Sequence, residues 1–406
     1  MELVAEKYKQ TEVGLIPSDW ELKELGDVGD VKMCRRVFNN ETSSSGSIPF
    51  YKIGTFGNEP DAFISNELYN EYRQRFSFPK KGDILISAAG TIGRTIIYNG
   101  EDAYFQDSNI VWIDNNQTII SNDFLYHTLQ VVKYNTEGGT IQRLYNSILK
   151  ATKFVCPTKA EQTRIATALS DADALISSLE KLIEKKRAIK QGAMQELVKP
   201  KEGWVVKKLG ELTKVFTKQT GFDYTAYIKP SLVQHRTDDT IPFIQNKDFN
   251  NRWINFNTDY FIPKSIAIQF PKILLNEKSL LISISGSVGN VGVYDSKELA
   301  FIGGAVSILK FKESDLIDWV MLYLKSNEGQ KKLLDNVKAG SHQNLILDDI
   351  RKIEIPFPPK VEQARIATIL SDMDTEINAL ETKLEKYRKM KMGMMQNLLT
   401  GKIRLI

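Results

Sequence analysis

The segment EQTRIATALSDADALISSLE, which begins at Glu161, returns as EQARIATILSDMDTEINALE at Glu362, 201 positions later. A match of this length is not chance, and repeat structure has to be settled before any other pattern is read. Only two copies occur, and the period lies far above the roughly 20–50 residues of solenoid repeats. The doubling continues upstream. Gly139, Gln142 and Leu144 match Gly340, Gln343 and Leu345 at the same offset. KGDILISAAGTIGRTIIY (Lys81 to Tyr98) echoes KSLLISISGSVGNVGVY (Lys278 to Tyr294), and SIPFYKIGTF from Ser47 echoes TIPFIQNKDF from Thr240. IPSDWELKELGDV echoes KEGWVVKKLGEL, which aligns Trp20 with Trp204. The offset grows from 184 through 193 and 196 to 201, so each half is one architecture with insertions and deletions between landmarks. The chain reads as variable domain, helix, variable domain, helix.

The two EQ-x-RIA segments carry the clearest helical signal. Ile366, Leu370, Met373, Ile377, Leu380, Leu384, Tyr387, Lys391, Met394 and Leu398 alternate spacings of four and three. That is a heptad a/d seam interrupted once, by Lys391. The first copy repeats the phase with Ile165, Leu169, Ala172, Ile176, Leu179, Ile183, Lys186, Lys190, Ala193 and Leu197. Pro157 and Pro359 mark the starts, while Pro200 and Gly401 follow the ends. Each helix is predicted to run about 40 residues, or about 60 Å at the α-helical rise. Pairing the two helices in one chain buries both seams; the alternative is that each packs separately on its own domain. Heptad phase does not distinguish a parallel from an antiparallel pair.

The intervening segments are strand-rich. DILISAAGTIGRTIIY holds two apolar runs divided by Gly90 and Gly93, and LLISISGSVGNVGVY repeats the pattern with Gly286 and Gly289, so both read as strand–turn–strand. AYFQDSNIVWI and AFIGGAVSIL supply a further strand each. SNDFLYHTLQVVKY and LIDWVMLYLKSNEGQKKLL read as helical. Each variable domain is therefore expected to be α+β.

Recognisable catalytic chemistry is missing. AAGTIGRT lacks the lysine and the following helix of a phosphate-binding loop, so its glycines are read as serving a tight β turn. His127, His235 and His342 stand apart from one another, with no ligand at zinc spacing. No nucleophile elbow or kinase signature occurs. Acidic pairs such as Asp238–Asp239 and Asp348–Asp349 read as solvated loop or capping residues, and EKKRAIK (Glu184 to Lys190) as a solvated face, the alternative being a run that meets phosphates. Two cysteines, Cys34 and Cys156, provide no disulfide framework. The N-terminus lacks the apolar core of a signal peptide, and no apolar run approaches a membrane span; the cytoplasm is the expected location.

Net charge is +4, too small to argue for nucleic acid by itself. Residues 1–156 hold 16 basic and 20 acidic side chains, and residues 201–357 hold 21 and 18. The first variable domain thus carries a net −4, and any DNA binding there needs a local patch. Arg35 with Arg36, Lys80 with Lys81, and Arg94 beside the glycine turn are candidates.

The order YKQTEVGLIPSDWELKELGD, GDILIS-x-x-GTIG, then P-x4-EQ-x-RIA with its heptads, all of it twice and ending MMQNLLTGKIRL, resembles the specificity subunit of type I restriction–modification systems. The resemblance covers essentially the whole chain. It implies two similar α/β target recognition domains, residues 1–156 and 201–357, and two spacer helices, 157–200 and 358–406. The helices would form an antiparallel coiled coil, giving a pseudo-twofold, cyclic arrangement. It implies a non-catalytic subunit that reads double-stranded DNA, one half-site per domain, and docks two methyltransferase (M) subunits. No cofactor would be bound by this chain: S-adenosylmethionine, ATP and Mg belong to the partners, which include restriction/translocase (R) subunits, and no membrane is involved. Readers are sought on polar loops after the framework strands. In the first domain these are Arg35, Arg36, Lys52, Arg94, Gln106, Ser108, Asn109, Gln142 and Arg143. In the second they are Gln245, Lys247, Ser285, Ser287, Asn290, His342, Gln343 and Asn344. The rival functions are a protein-binding coiled-coil scaffold and a self-sufficient restriction and methylation enzyme. The latter would need an Asn/Asp-Pro-Pro-aromatic motif, and none occurs. A pseudo-twofold relation also requires the C-terminus to end near the N-terminus, with residues 1–16 beside Leu398 to Leu405.

Overall fold

The structure is a computed structural model that describes residues 8–134, 143–250, 252–335 and 344–406. It divides into two compact units: Met1–Glu180 with Thr382–Ile406, and Lys181–Glu381. The division runs through both long helices, Lys159–Leu197 and Lys360–Leu398, rather than at their ends. Gln142, His342 and Gln343 lie outside the described residues.

In the first unit the strands are β1 (Tyr8–Thr11), β2 (Gly14–Pro17), β3 (Glu21–Glu24), β4 (Val31–Lys32), β5 (Ile48–Tyr51), β6 (Phe63–Ile64), β7 (Ile84–Ser87), β8 (Thr95–Ile97), β9 (Tyr104–Phe105), β10 (Ile110–Ile113) and β11 (Lys153–Cys156). The main sheet has the order β4-β10-β7-β8, and β6-β5-β9 form a second, smaller sheet. Helix α1 (Asn66–Arg75) follows β6, and α2 (Asn122–Leu129) follows β10. Alternation along the central strands explains why every residue of β7 and β10 is buried. Ile84, Ile86, Val111 and Ile113 point into a core shared with α2 and the long helices, while Leu85, Ile110 and Trp112 point into a second core shared with β5 and β9. A sheet covered on both faces reads as continuous apolar runs, which is how ILIS and IVWI are written.

The second unit repeats this plan with β12 (Val205–Lys208), β13 (Thr213–Lys218), β14 (Thr240–Ile244), β15 (Phe249–Asn250), β16 (Trp253–Ile254), β17 (Phe261–Pro263), β18 (Leu274–Leu275), β19 (Ser279–Ser283), β20 (Val291–Tyr294), β21 (Ala300–Ile302), β22 (Val306–Phe311) and β23 (Glu354–Phe357). Its main sheet is longer, with the order β13-β22-β19-β20-β16-β15. The segment expected as one helix is two, α3 (Leu316–Lys325) and α4 (Asn327–Leu334). The break is at Ser326, whose side chain accepts the Gly329 N–H as an N-cap.

Side-chain pairing settles helix direction within each unit. In the first, Lys391 meets Asp173 at 2.5 Å and Arg388 meets Glu180 at 2.7 Å. In the second, Lys190 meets Asp374, and Arg187 meets Glu381 at 2.6 Å. Partner numbers fall on one helix as they rise on the other, so the segments run antiparallel in each unit. The pairs also correspond across the offset of 201: Lys190 and Lys391 bind Asp374 and Asp173. The EKKRAIK run is therefore engaged rather than simply solvated, since Lys186 joins Glu376 as well. Ile165, Leu169, Leu179 and Leu384 are buried in the first unit, and Ile183, Ile366, Leu370 and Ile377 in the second. Ile176, Met373, Leu380 and Tyr387 are half-buried.

The chain ends meet in the first unit. The Tyr8 hydroxyl donates to the Gly401 carbonyl, and Ile16 and Trp20 share a core with Leu398, Leu399 and Leu405. Arg404 bonds both carboxylate oxygens of Asp19 and both of Glu161. Residues 1–7 of the expected N-terminal contact lie outside the described residues.

Candidate nucleic-acid interface

Each unit builds the same turn from a buried serine. In the first, Ser87 at the end of β7 accepts the Arg94 backbone N–H at 2.9 Å and donates to the Thr91 carbonyl. In the second, Ser283 accepts the Asn290 N–H at 2.8 Å and donates to the Ser287 carbonyl at 2.6 Å. Both serines are buried. The tight path needs left-handed backbone, which glycine supplies at Gly90 and Gly93 (φ 64° and 80°) and at Gly286 and Gly289 (φ 74° and 85°). The device holds Arg94 and Asn290 out into solvent at equivalent positions. A strand follows each turn, as expected of a β turn and not of a phosphate-binding loop.

Around the first turn the structure gathers several predicted readers. Gln106 accepts the Ile53 N–H at 2.9 Å, and a Cβ placed on Gly90 would touch Ile53. Arg143 bridges to Ala89 and donates to the Asn109 carboxamide oxygen at 3.1 Å. Ser108 takes a left-handed conformation, φ 54°, at the apex of the loop from Gln106 to Asn109. Arg36 is tied to that loop through Asp107 at 2.9 Å. Arg94 lies over Gly57, where a Cβ would come within 2.8 Å of its guanidinium. Lys52 is turned to Asp61 at 2.8 Å. Arg35 stands aside from this cluster, its guanidinium 5.3 Å from the centre of the Phe76 ring.

Around the second turn the groups are mostly carboxamides and hydroxyls. Ser285 bridges to Asn344, and its carbonyl accepts the Asn246 carboxamide N–H. Ser287, Asn290 and Asn344 are exposed. The Gln245 backbone N–H is held by Asp248 at 2.7 Å. Lys247 is paired with Asp259 at 2.8 Å and Asp248 at 3.5 Å, contacts that raise its ammonium above the usual lysine range, Asp259 contributing most.

Two residues absent from the sequence reading belong to this region. Asn246 and Gln219 each donate to a backbone carbonyl, Ser285 and Ile302, while their carboxamide oxygens are buried with no hydrogen-bond partner among the described residues. In sequence Asn246 stands between the candidate readers Gln245 and Lys247. Gln219 had a usable signal, because it falls at offset 184 from Arg35. Among the described residues no group of three His, Cys, Asp or Glu side chains could hold a metal ion, and no helix is long and apolar enough to cross a membrane.

Known proteins give this geometry a context. The domain described as "Type I restriction modification DNA specificity domain" matches residues 17–191 and again residues 201–387. A putative type I restriction enzyme specificity subunit of Haemophilus influenzae, S.HindORF215P, is 60% identical over 157 residues, which are 38% of this chain and 41% of that relative. The chain thus spans less than half of that relative's length in the match. The putative MjaX specificity subunit of Methanocaldococcus jannaschii is 27% identical over 443 aligned residues, covering 98% of this chain and 97% of its own. The fold resembles the crystal structure of a type I restriction–modification S subunit from M. genitalium, with a TM-score of 0.54, 15% identity, and coverage of 97% of this chain and 98% of that one. A chain from a structural study of type I complex assembly gives a TM-score of 0.60 at 15% identity, covering 96% and 99%. With the domain matched twice over most of its length, and the same serine-clamped turn built in both copies, the chain belongs to the type I restriction–modification DNA specificity family.

Proposed function

We propose that this chain is the DNA-reading subunit of a type I restriction–modification complex, each unit contacting one half of a split target. The observation that carries the proposal is the turn built twice on Ser87 and Ser283, which puts Arg94 and Asn290 at equivalent exposed positions. Arginine and carboxamide side chains suit the donor and acceptor groups of base edges, and paired cations suit phosphates once their local carboxylates are displaced. The subunit has no turnover of its own. S-adenosylmethionine, ATP and Mg are carried by methyltransferase and restriction/translocase partners, and the complex works in the cytoplasm. Leu182 and Ile189, seven residues apart on the part of the first long helix that belongs to the second unit, are each more than one-third exposed, which favours a docked partner helix there. The test is methylome sequencing of cells with and without the gene, alongside filter binding of the purified chain with methyltransferase subunits to a random duplex library. A split methylated motif that vanishes with the gene is expected. Protein association without enrichment of any duplex sequence would leave only the scaffold function.

A further inference from the structure

The doubled chain serves as its own comparison, and the two units differ at one framework edge. In the second unit β20 is covered: β16 pairs with it in parallel through Trp253 and Val293, and the Val293 N–H donates to the Arg252 carbonyl at 2.8 Å. The Arg252 side chain then crosses to α3 and binds Asp318 at 2.8 Å, where Lys278 also reaches the same carboxylate at 2.8 Å. The hairpin that does this lies in residues 245–260, between β14 and β17. The corresponding connection in the first unit, residues 52–62 between β5 and β6, is five residues shorter and contains no strand.

The first unit therefore leaves the equivalent edge open. β8 is the last strand of its sheet, and Ile97, at offset 196 from Val293, is 45% exposed against 1% for Val293. Arg94 and Tyr98 bond back to β7 through their backbones, so Ile97, one residue before Tyr98, turns its own N–H away from the sheet. That N–H has no backbone partner among the described residues. Asp123 on α2, the counterpart of Asp318 at offset 195, has no ion pair among the described residues. A groove of about 410 Å³ joins the two features, lined by Ile97, Asp123, Tyr126, Asp173, Ile176 and Glu180. Asp173 and Glu180 are already paired with Lys391 and Arg388, which leaves Asp123 as the unmatched carboxylate.

We propose that this open edge of β8 and the adjoining groove bind an extended segment of a partner protein, which adds as a short strand beside Ile97 and places an arginine on Asp123. The second unit shows the occupant's chemistry: a backbone carbonyl for the outward N–H and a guanidinium for the aspartate. The unmatched Asp123 carboxylate favours a cationic protein segment over nucleic acid, and an open edge with an apolar side chain is a site for strand addition. The proposal is independent of how either unit reads DNA.

The test uses a fluorescently labelled peptide with the sequence of Phe249 to Phe256, titrated into the full-length chain and followed by anisotropy. Saturable one-to-one binding is expected. It should weaken roughly threefold to tenfold in the Asp123→Ala chain, and equally when alanine replaces the peptide's arginine, because the same partly exposed charge pair is lost in either case. Ile97→Pro should abolish binding without disturbing the sheet, since it removes only the outward N–H of an edge strand. Circular dichroism and DNA binding of these variants are expected to match the unmodified chain. No saturable binding up to 1 mM peptide (roughly −4 kcal/mol) overturns the proposal. So does binding that survives both alanine changes. Concentration-dependent dimerisation that Asp123→Ala abolishes would assign the edge to a second copy of the chain and also overturn it.

Discussion

Arg404 stands two residues from the C-terminus, yet it closes the first unit. Its guanidinium donates to Glu161 at 2.6 and 2.8 Å and to Asp19 at 2.9 Å twice, and lies 5.3 Å from the Trp20 ring centre. The Glu161 side chain is only 3% exposed. After Arg404→Ala its carboxylate keeps a single side-chain donor, the Trp20 indole at 2.8 Å. Orphaning a buried charge costs about 3–5 kcal/mol, and the lower end applies because Arg404 is itself partly exposed. At about 3 kcal/mol, a unit of about 200 residues should melt roughly 6–12 °C lower. Hydrogen exchange should rise in residues 8–25 and 398–406 before anywhere else. If the loss comes from the orphaned carboxylate, Arg404→Ala with Glu161→Gln should recover at least half of it, because the amide can be buried uncharged. A double variant no more stable than Arg404→Ala alone would refute the reasoning.

The same node gives an acid limb. The hydrogen bond from Arg404 is the main reason the Asp19 carboxyl sits below the usual aspartate range. A depressed folded pKa contributes stability above the unfolded value, and that contribution is lost as pH falls through the folded one. Arg404→Ala should therefore make the first unit's stability less steep in pH below the normal aspartate range. Asp19 is about half exposed, so the effect on slope is a modest one.

Leu384→Asp puts a carboxylate on the buried seam and should cost several kcal/mol, read as lost helicity and altered sedimentation, whereas Arg94→Ala should leave folding intact and reduce the salt dependence of DNA binding. Burial depresses the His127 imidazole to about 4, so stability should rise with pH between about 4 and 6.5, where the unfolded chain binds the extra proton. His127→Leu, the residue found at the matching position 322, should flatten that window, and an unchanged acid profile would assign it to other groups. Four residues inserted between Leu179 and Ile183 add about one helical turn, about 6 Å, and should widen the gap in the methylated motif by under two base pairs while both half-sites persist.

What could be read from sequence follows physical reach. The heptad seam was legible because burial repeats every three or four residues, and Ile165, Leu169, Ile366 and Leu370 are all buried. The glycine turns were legible because left-handed backbone selects glycine. The serines that clamp them were not read, although Ser87 and Ser283 stand at one offset before each turn. Charge was the least legible property. Arg36, Lys52 and Lys247 read from sequence as candidate DNA contacts, yet each has a carboxylate partner brought from a distant or neighbouring position by the fold. A run such as EKKRAIK has no pattern that separates solvent from a facing helix; only the antiparallel register supplies Glu376, Glu381 and Asp374.

The two copies also separate a shared framework from positions that differ between them. Trp20 and Trp204, Glu161 and Glu362, Ser87 and Ser283, and the pairs made by Lys391 and Lys190 recur unchanged. At matching loop positions the residues differ: Arg35 against the buried Gln219, Lys52 against Gln245, and Arg94 against Asn290. After the equivalent strands β9 and β21, Gln106 and Asp107 face Gly303 and Gly304. The first copy carries guanidinium or ammonium groups at Arg35, Lys52 and Arg94 where the second carries carboxamides, and a carboxamide and a carboxylate where the second has bare glycine backbone. Arginine pairs best with guanine and carboxamides with adenine, so one scaffold written twice presents two different donor and acceptor sets. The half-sites are accordingly expected to differ in sequence, and a perfect inverted repeat as the methylated target would contradict this division of roles.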